Sequence, residues 1–309
     1  MIKAAFILLF FVSIQASAVN GLHPSTGTFL LFDTPVGNAA FGDVDPVRKE
    51  VSFINYLIGR EDFKESFFLL EQMNASDPVW SDSLNFLKGW VLYRQQQLQP
   101  SAAYLLNVSE NSPLFLKARL FGAYNLAHTG SYAQARMLLE KLPAEQGSMP
   151  DAMRHLQLGG VALLENDLDR YLVHSNEFSG NFHVMARQER LMDQHFMAMS
   201  DRRQASPALA AVLSAMVPGL GRVYAGKPAE GVVSLLYLAA FGFTTYDFYR
   251  GAGPESALFI ISASFTGIFY AGNIMGSALA ARRTNNEFRH EMEQRILFDM
   301  HIPLRNAFN

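Results

Sequence analysis

The apolar residues of this 309-residue chain follow three patterns in turn. Near the start they form one short block, in which Lys3 precedes an almost wholly apolar run from Ala4 to Ile14, followed by Ala16, Ser17 and Ala18. From about 47 to 205 they recur every three or four residues between polar ones, the spacing of helices with one face turned to a core. From 206 to 281 they are nearly continuous, as in helices surrounded by lipid. The pattern predicts an all-α protein, with a helical region, which its repeats below mark as a solenoid, followed by a small α-helical membrane domain of two to three spans.

Charge sharpens that division. Between Val47 and Ala205, 34 of 159 residues are charged, but between Ser206 and Ala281 only six of 76 are. The overall 17% charged is therefore an average over two solvent regimes. A formal net charge of −3 points to no polyanion, so no nucleic-acid partner is expected. With no cysteine, thiolate metal sites, disulfides and cysteine nucleophiles are excluded.

The opening block reads as a signal peptide over 1–18. It has a basic start, an apolar run too short to span a bilayer and small residues before a cleavage point near Val19. An uncleaved anchor or a buried helix is the other reading. Residues 19–46 turn to Gly, Pro, Thr and Asn around one apolar run, Phe29 to Phe32, and predict irregular chain with at most one strand.

The middle region repeats. Four turns align, with apolar residues Phe63, Leu98, Tyr132 and Leu168 spaced 35, 34 and 36 apart. Nine residues before each stands Ile54, Gly89, Ala123 or Gly159, mostly small, where antiparallel helices must approach. Each unit resembles the 34-residue tetratricopeptide repeat. The unit from Ala118 to Pro143, with Gly130, Tyr132, Ala135 and Pro143 in place, is the best match, and the resemblance spans 47–180. Glu61 and Gln96 stand where that family expects glycine, and Tyr171 stands where it expects alanine, which predicts a wider fourth helix pair. The resemblance implies a surface that binds protein partners and carries no catalysis of its own. Over 181–205, a helix from Phe182 to Met199 is the expected cap, with Arg187, Glu189, Arg190 and Asp193 on its wet side. Its Met-rich stripe reads as core packing or as a partner groove. Trp80, Trp90 and Tyr93 are candidate exposed anchors or core.

In the membrane region, Ala257 to Ala281 is an uncharged run closed by Arg282 and Arg283, and Gly231 to Tyr246 is a second, with Arg250 to Pro254 as the turn between them. The stretch from Ala205 to Gly221 is interrupted at Pro218 and Gly219, and reads as a half-helix or a third span. Three spans would place Arg222, Lys227, Arg282 and Arg283 in the cytoplasm, opposite exported repeats, so the positive-inside rule favours three spans and a cytoplasmic tail.

The segment Pro218, Gly219, Leu220, Gly221, Arg222, Val223, Tyr224, Ala225, Gly226 resembles the signature of bacterial TM-two-like membrane domains, over 206–281. Arg222 replaces that signature's usual Gln. From the residues themselves, the motif is a kinked, close-packed turn with Tyr224 as interfacial anchor. The sharper alternative is a cradle for a lipid head group built from Gly219, Gly221 and Arg222. Further along, Gly272 and Gly276 form a GxxxG, and with Gly267 they predict a helix-packing face within the hairpin or between two copies of the chain. Asn273, polar at membrane depth, can bond across that contact, and Asp247, near a span end, reads as an interfacial helix-end residue or as a proton or ion ligand. No catalytic residue, metal-ligand spacing or cofactor motif is found. The stretch 282–309 alternates Glu and Arg around Phe288, Met292, Ile296 and Leu297, predicting an amphipathic helix at the membrane surface or against the domain.

The expectation is a non-catalytic, membrane-anchored repeat scaffold at the bacterial cell envelope. Its partners are proteins on the repeats, the lipid bilayer and, through the last span, a second copy. The inner membrane would hold it, with the repeats facing the periplasm or exterior. The alternative is a membrane component that handles a small solute, ion or lipid through 206–281.

Overall fold

The structure, a computed structural model, describes residues 46–73 and 78–308. The expected signal peptide and nearly all of the segment 19–46 lie outside the described residues. Within them the chain is all-helical, with no strand.

Eight helices form four successive hairpins: α1 (Pro46–Gly59) with α2 (Phe63–Gln72), α3 (Pro78–Arg94) with α4 (Leu98–Leu106), α5 (Phe115–His128) with α6 (Tyr132–Glu140), and α7 (Met149–Leu164) with α8 (Leu168–Ser175). Each helix packs on the next in chain order, so the hairpins stack into one continuous core. All four turns have the same geometry. Glu61, Gln96, Gly130 and Asn166 each adopt a left-handed backbone, with φ of 63°, 61°, 82° and 58°. In each, the amide of the following residue bonds to the carbonyl five positions back: Asp62 to Leu57, Gln97 to Leu92, Ser131 to Leu126 and Asp167 to Ala162, at 2.8–3.0 Å. This closes the end of the first helix by satisfying a carbonyl that would otherwise be orphaned.

In the second and fourth hairpins a glycine lets the two helices approach closely. A Cβ on Gly89 would lie 2.7 Å from Leu105 Cγ, and its carbonyl accepts the hydroxyl of fully buried Ser101 at 2.6 Å. In the fourth hairpin Tyr171 is fully buried, and its ring lies where Gly159 leaves room, a Cβ there being 3.5 Å from Tyr171 Cε2. A glycine thus takes up the bulk that was expected to widen the pair.

Helix α9 (Ala186–Ser200) follows. Two residues expected on its wet side instead face inward, because α9 is held between the last hairpin and the C-terminal helix. Glu189 is 3% exposed and accepts the Gly180 amide at 2.9 Å, and Asp193 accepts the Tyr171 hydroxyl at 2.7 Å. Burial raises the Glu189 carboxyl above its ordinary value.

The membrane region is built from α10 (Pro207–Met216), α11 (Leu220–Tyr224), α12 (Pro228–Ala252) and α13 (Ala257–Phe308). Two of these, α12 and α13, are long and apolar enough to cross a bilayer. Their large apolar side chains, among them Leu236, Phe243, Ile268 and Met275, are exposed, which suits lipid and not water. The third span favoured by the basic-residue arithmetic does not form: α10 has ten residues and covers about 15 Å, half the hydrocarbon thickness. Nor is the tail a separate element. The last span continues as one helix of 52 residues, about 78 Å long, whose C-terminal half lies against α5, α7 and α9. The tail and the repeats are therefore on the same side of the spans.

Candidate functional site

Two features combine sequence-predicted residues with close packing: the glycine turn at the foot of the spans, and the face of the solenoid where α13 docks.

The turn needs its glycines for contact. At Gly219, with φ of 85°, a Cβ would lie 2.0 Å from the Gly231 carbonyl oxygen, and a Cβ on Gly221 would lie 1.9 Å from that of Ala210. No side chain fits in either place, so α10, α11 and α12 meet backbone to backbone. Ser214 Oγ accepts the Gly221 amide at 3.0 Å and lies 2.6 Å from Ser277 Oγ, whose hydroxyl reaches the Asn273 carbonyl at 2.9 Å. This fully buried serine pair ties the turn to α13. The Tyr224 hydroxyl accepts the Ser206 amide at 3.0 Å, at the start of α10. Pro218 precedes the turn, and Gly226, with φ of 83°, ends α11.

Arg222 points at α13, with Nη2 2.7 Å from where a Cβ on Gly276 would sit and Nη1 3.8 Å from Glu230. Gly276 thus makes room for a guanidinium, while a Cβ on Gly267 or Gly272 would meet open space. Asn273 is 5% exposed, and neither atom of its carboxamide has a hydrogen-bond partner among the described residues. Asp247 is exposed near the end of α12, far along the chain from this cluster.

The docked half of α13 is built on a strict four-residue spacing. Met292, Ile296, Met300 and Leu304 are all buried in the solenoid core. Around them is a shell of specific contacts. Gln157 Nε2 donates to the Met300 carbonyl at 2.7 Å, and His195 Nε2 lies 2.7 Å from Asp299 Oδ2. His301 stacks on Tyr124, with centroids 5.0 Å apart, and hydrogen-bonds to the Tyr93 hydroxyl. Burial, with the nearby Arg305 adding to it, pushes His301 down to about 4, so it is neutral where it docks. At the end of the helix, Lys117 sits over Trp90, 4.7 Å from the centroid, and donates to the Phe308 carbonyl at 3.0 Å. That carbonyl is one of the orphan acceptors of a helix C-terminus, where a cation is favoured. Burial lowers the Lys117 ammonium to about 8.

Of the candidate anchors, Trp90 is core at 2% exposed, and Tyr93 is engaged by His301. Sequence reading overlooked Phe53 and Tyr56, stacked at 6.4 Å and more than half exposed on α1, at the end of the solenoid that α13 leaves uncovered. Their signal was two aromatics three apart, which share one face of a helix.

Among the described residues, no group of three or more His, Asp or Glu side chains is placed to hold a metal ion. No family model, curated protein or solved structure matches the chain.

Proposed function

We propose that this protein is a membrane-anchored scaffold of tetratricopeptide-like units, non-catalytic, which recruits a protein partner at the bacterial cell envelope. The observation that carries this reading is mechanical: one helix, α13, is both a span and a core element of the solenoid, so the repeats are fixed to the bilayer rather than tethered by a linker. The face along α5, α7 and α9 is filled by the chain's own tail. The partner therefore meets the opposite end, where Phe53 and Tyr56 offer rigid aromatic area. The apolar block at the N-terminus and its small-residue cleavage point support export. The repeats, and the tail with them, then lie on the periplasmic or exterior face of the inner membrane. The uncovered Gly267 and Gly272 leave the last span a small-residue face for lipid or a second copy.

The test uses the full-length protein, crosslinked in its own membranes. A discrete partner should co-purify, and the Phe53→Ala, Tyr56→Ala double variant should lose it by about fivefold or more. Absence of any partner overturns the scaffold role; undiminished recovery with the double variant overturns the docking end.

A second reading, handling of a small solute, ion or lipid through 206–281, draws on the unpartnered Asn273 and the guanidinium of Arg222. Under it, Asn273→Ala and Arg222→Gln abolish function while removal of the aromatic pair does not.

A further inference from the structure

Where the spans emerge, a cleft of about 310 Å³ opens between the end of α7, the end of α9 and the first turns of α13 beyond the membrane run. Arg282, the first charged residue after the uncharged stretch 257–281, stands at its edge, so the cleft begins at the polar boundary of the bilayer. Arg202 and Arg289 also line it, together with the carboxamide of Asn286. None of the three arginines has an ion-pair partner among the described residues, whereas the one carboxylate in the lining, Glu293, lies 3.8 Å from His290 Nδ1. Its walls include Met199 and Phe288.

Two of the three arginines are held by the cleft's own residues. Arg202 lies 3.8 Å above the Phe288 ring and donates to the Thr284 carbonyl at 3.2 Å, and Arg289 donates to Asn286. Asn285 bonds the backbone of Ala205 in both directions, at 2.9 and 3.1 Å, fixing the linker against α13. Three guanidiniums against one carboxylate, beside apolar walls and at the membrane edge, suit a ligand that is anionic at one end and apolar at the other. A guanidinium fork presents paired donors to phosphate oxygens.

From this geometry we infer that the cleft binds the phosphate head group of an anionic phospholipid, with its acyl chains against the start of the spans. It goes beyond the scaffold reading and does not depend on it: the lipid would lock the joint between repeats and membrane whatever partner the repeats bind.

The experiment titrates the full chain, in a neutral detergent, with phosphatidylglycerol, with phosphatidylcholine as control, and counts bound lipid by native mass spectrometry. One phosphatidylglycerol should bind in preference to phosphatidylcholine, and Arg282→Gln and Arg289→Gln should each weaken it by about fivefold. Arg203→Gln and Arg283→Gln remove the same charge outside the cleft and should leave binding within about twofold. Equal binding of both lipids, or equal loss in all four variants, overturns the proposal by reducing it to general charge. Full displacement by millimolar inorganic phosphate also overturns it, assigning the cleft to a free anion.

Discussion

At the scale of single residues, the four turns make the sharpest claim. A left-handed backbone costs a non-glycine residue about 1–2 kcal/mol, and glycine there loses about 0.5–1 kcal/mol in chain entropy. Strain therefore wins. Gln96→Gly should raise stability by about 0.5–1 kcal/mol, and Glu61→Gly by slightly less, since the exposed ion pair between Glu61 and Arg94 at 2.8 Å is worth little. Asn166→Gly should gain least, because asparagine tolerates this conformation, and Gly130→Ala should lose about 1 kcal/mol. Denaturant titration of the full chain in detergent checks the order. The spacing of these positions was legible in the sequence. Their backbone was not, because Glu and Gln give no local sign of a left-handed turn and only the hydrogen bonds closing each helix impose it. Gly160 was invisible for another reason: a Cβ there would lie 2.5 Å from Met300 Cγ and Sδ, a contact 140 residues away in the chain. Gly160→Ala should cost about 1–3 kcal/mol and loosen the docked helix, read as faster proteolysis after Arg305.

At the scale of elements, α13 decides the architecture. Its apolar stripe of Met292, Ile296, Met300 and Leu304 fits a membrane surface as well as a protein groove, and so the sequence left both open. What selects the groove is polar complementarity: Gln157, His195, Tyr93 and Lys117 each meet a group on the helix. Met300→Ala should therefore cost about 2–5 kcal/mol, as truncation of a fully buried methionine does.

The docking also carries a pH dependence. His301 and His174 both have folded values pushed down to about 4, from an ordinary value of 6.5, His301 by burial and His174 by burial and then by His155. The folded state thus binds fewer protons than the unfolded one. The contribution of these neutral histidines is complete above about pH 6.5 and is lost as the pH falls toward 4. Thermal melts of the full chain should drop over that interval, and His301→Gln, which leaves a neutral polar side chain, should flatten the drop. A drop unchanged in that variant would assign it to other groups.

At the scale of the whole molecule, the all-helical composition and the two membrane helices were legible from periodicity and missing charge. The number of spans was not, because counting basic residues assumes that each apolar stretch crosses. With two spans, Arg202, Arg203, Arg222, Lys227, Arg282 and Arg283 gather on the repeat side and Arg250 lies at the hairpin tip. Taken alone, the positive-inside rule would put that side in the cytoplasm. The N-terminal apolar block points the other way, and the first such segment usually sets orientation, while long domains translocate largely regardless of charge. The relation between the two ends of the molecule does not depend on that choice: the repeats and the C-terminus share one face of the membrane.

A chain without cysteine allows this to be read directly, with a single cysteine placed in turn at exposed Lys141, Glu255 and Asn306 and labelled from one face of intact cells or vesicles. The shared face of repeats and tail predicts that positions 141 and 306 label together from one side and that 255 labels from the other. Labelling of 306 together with 255, opposite 141, would contradict it.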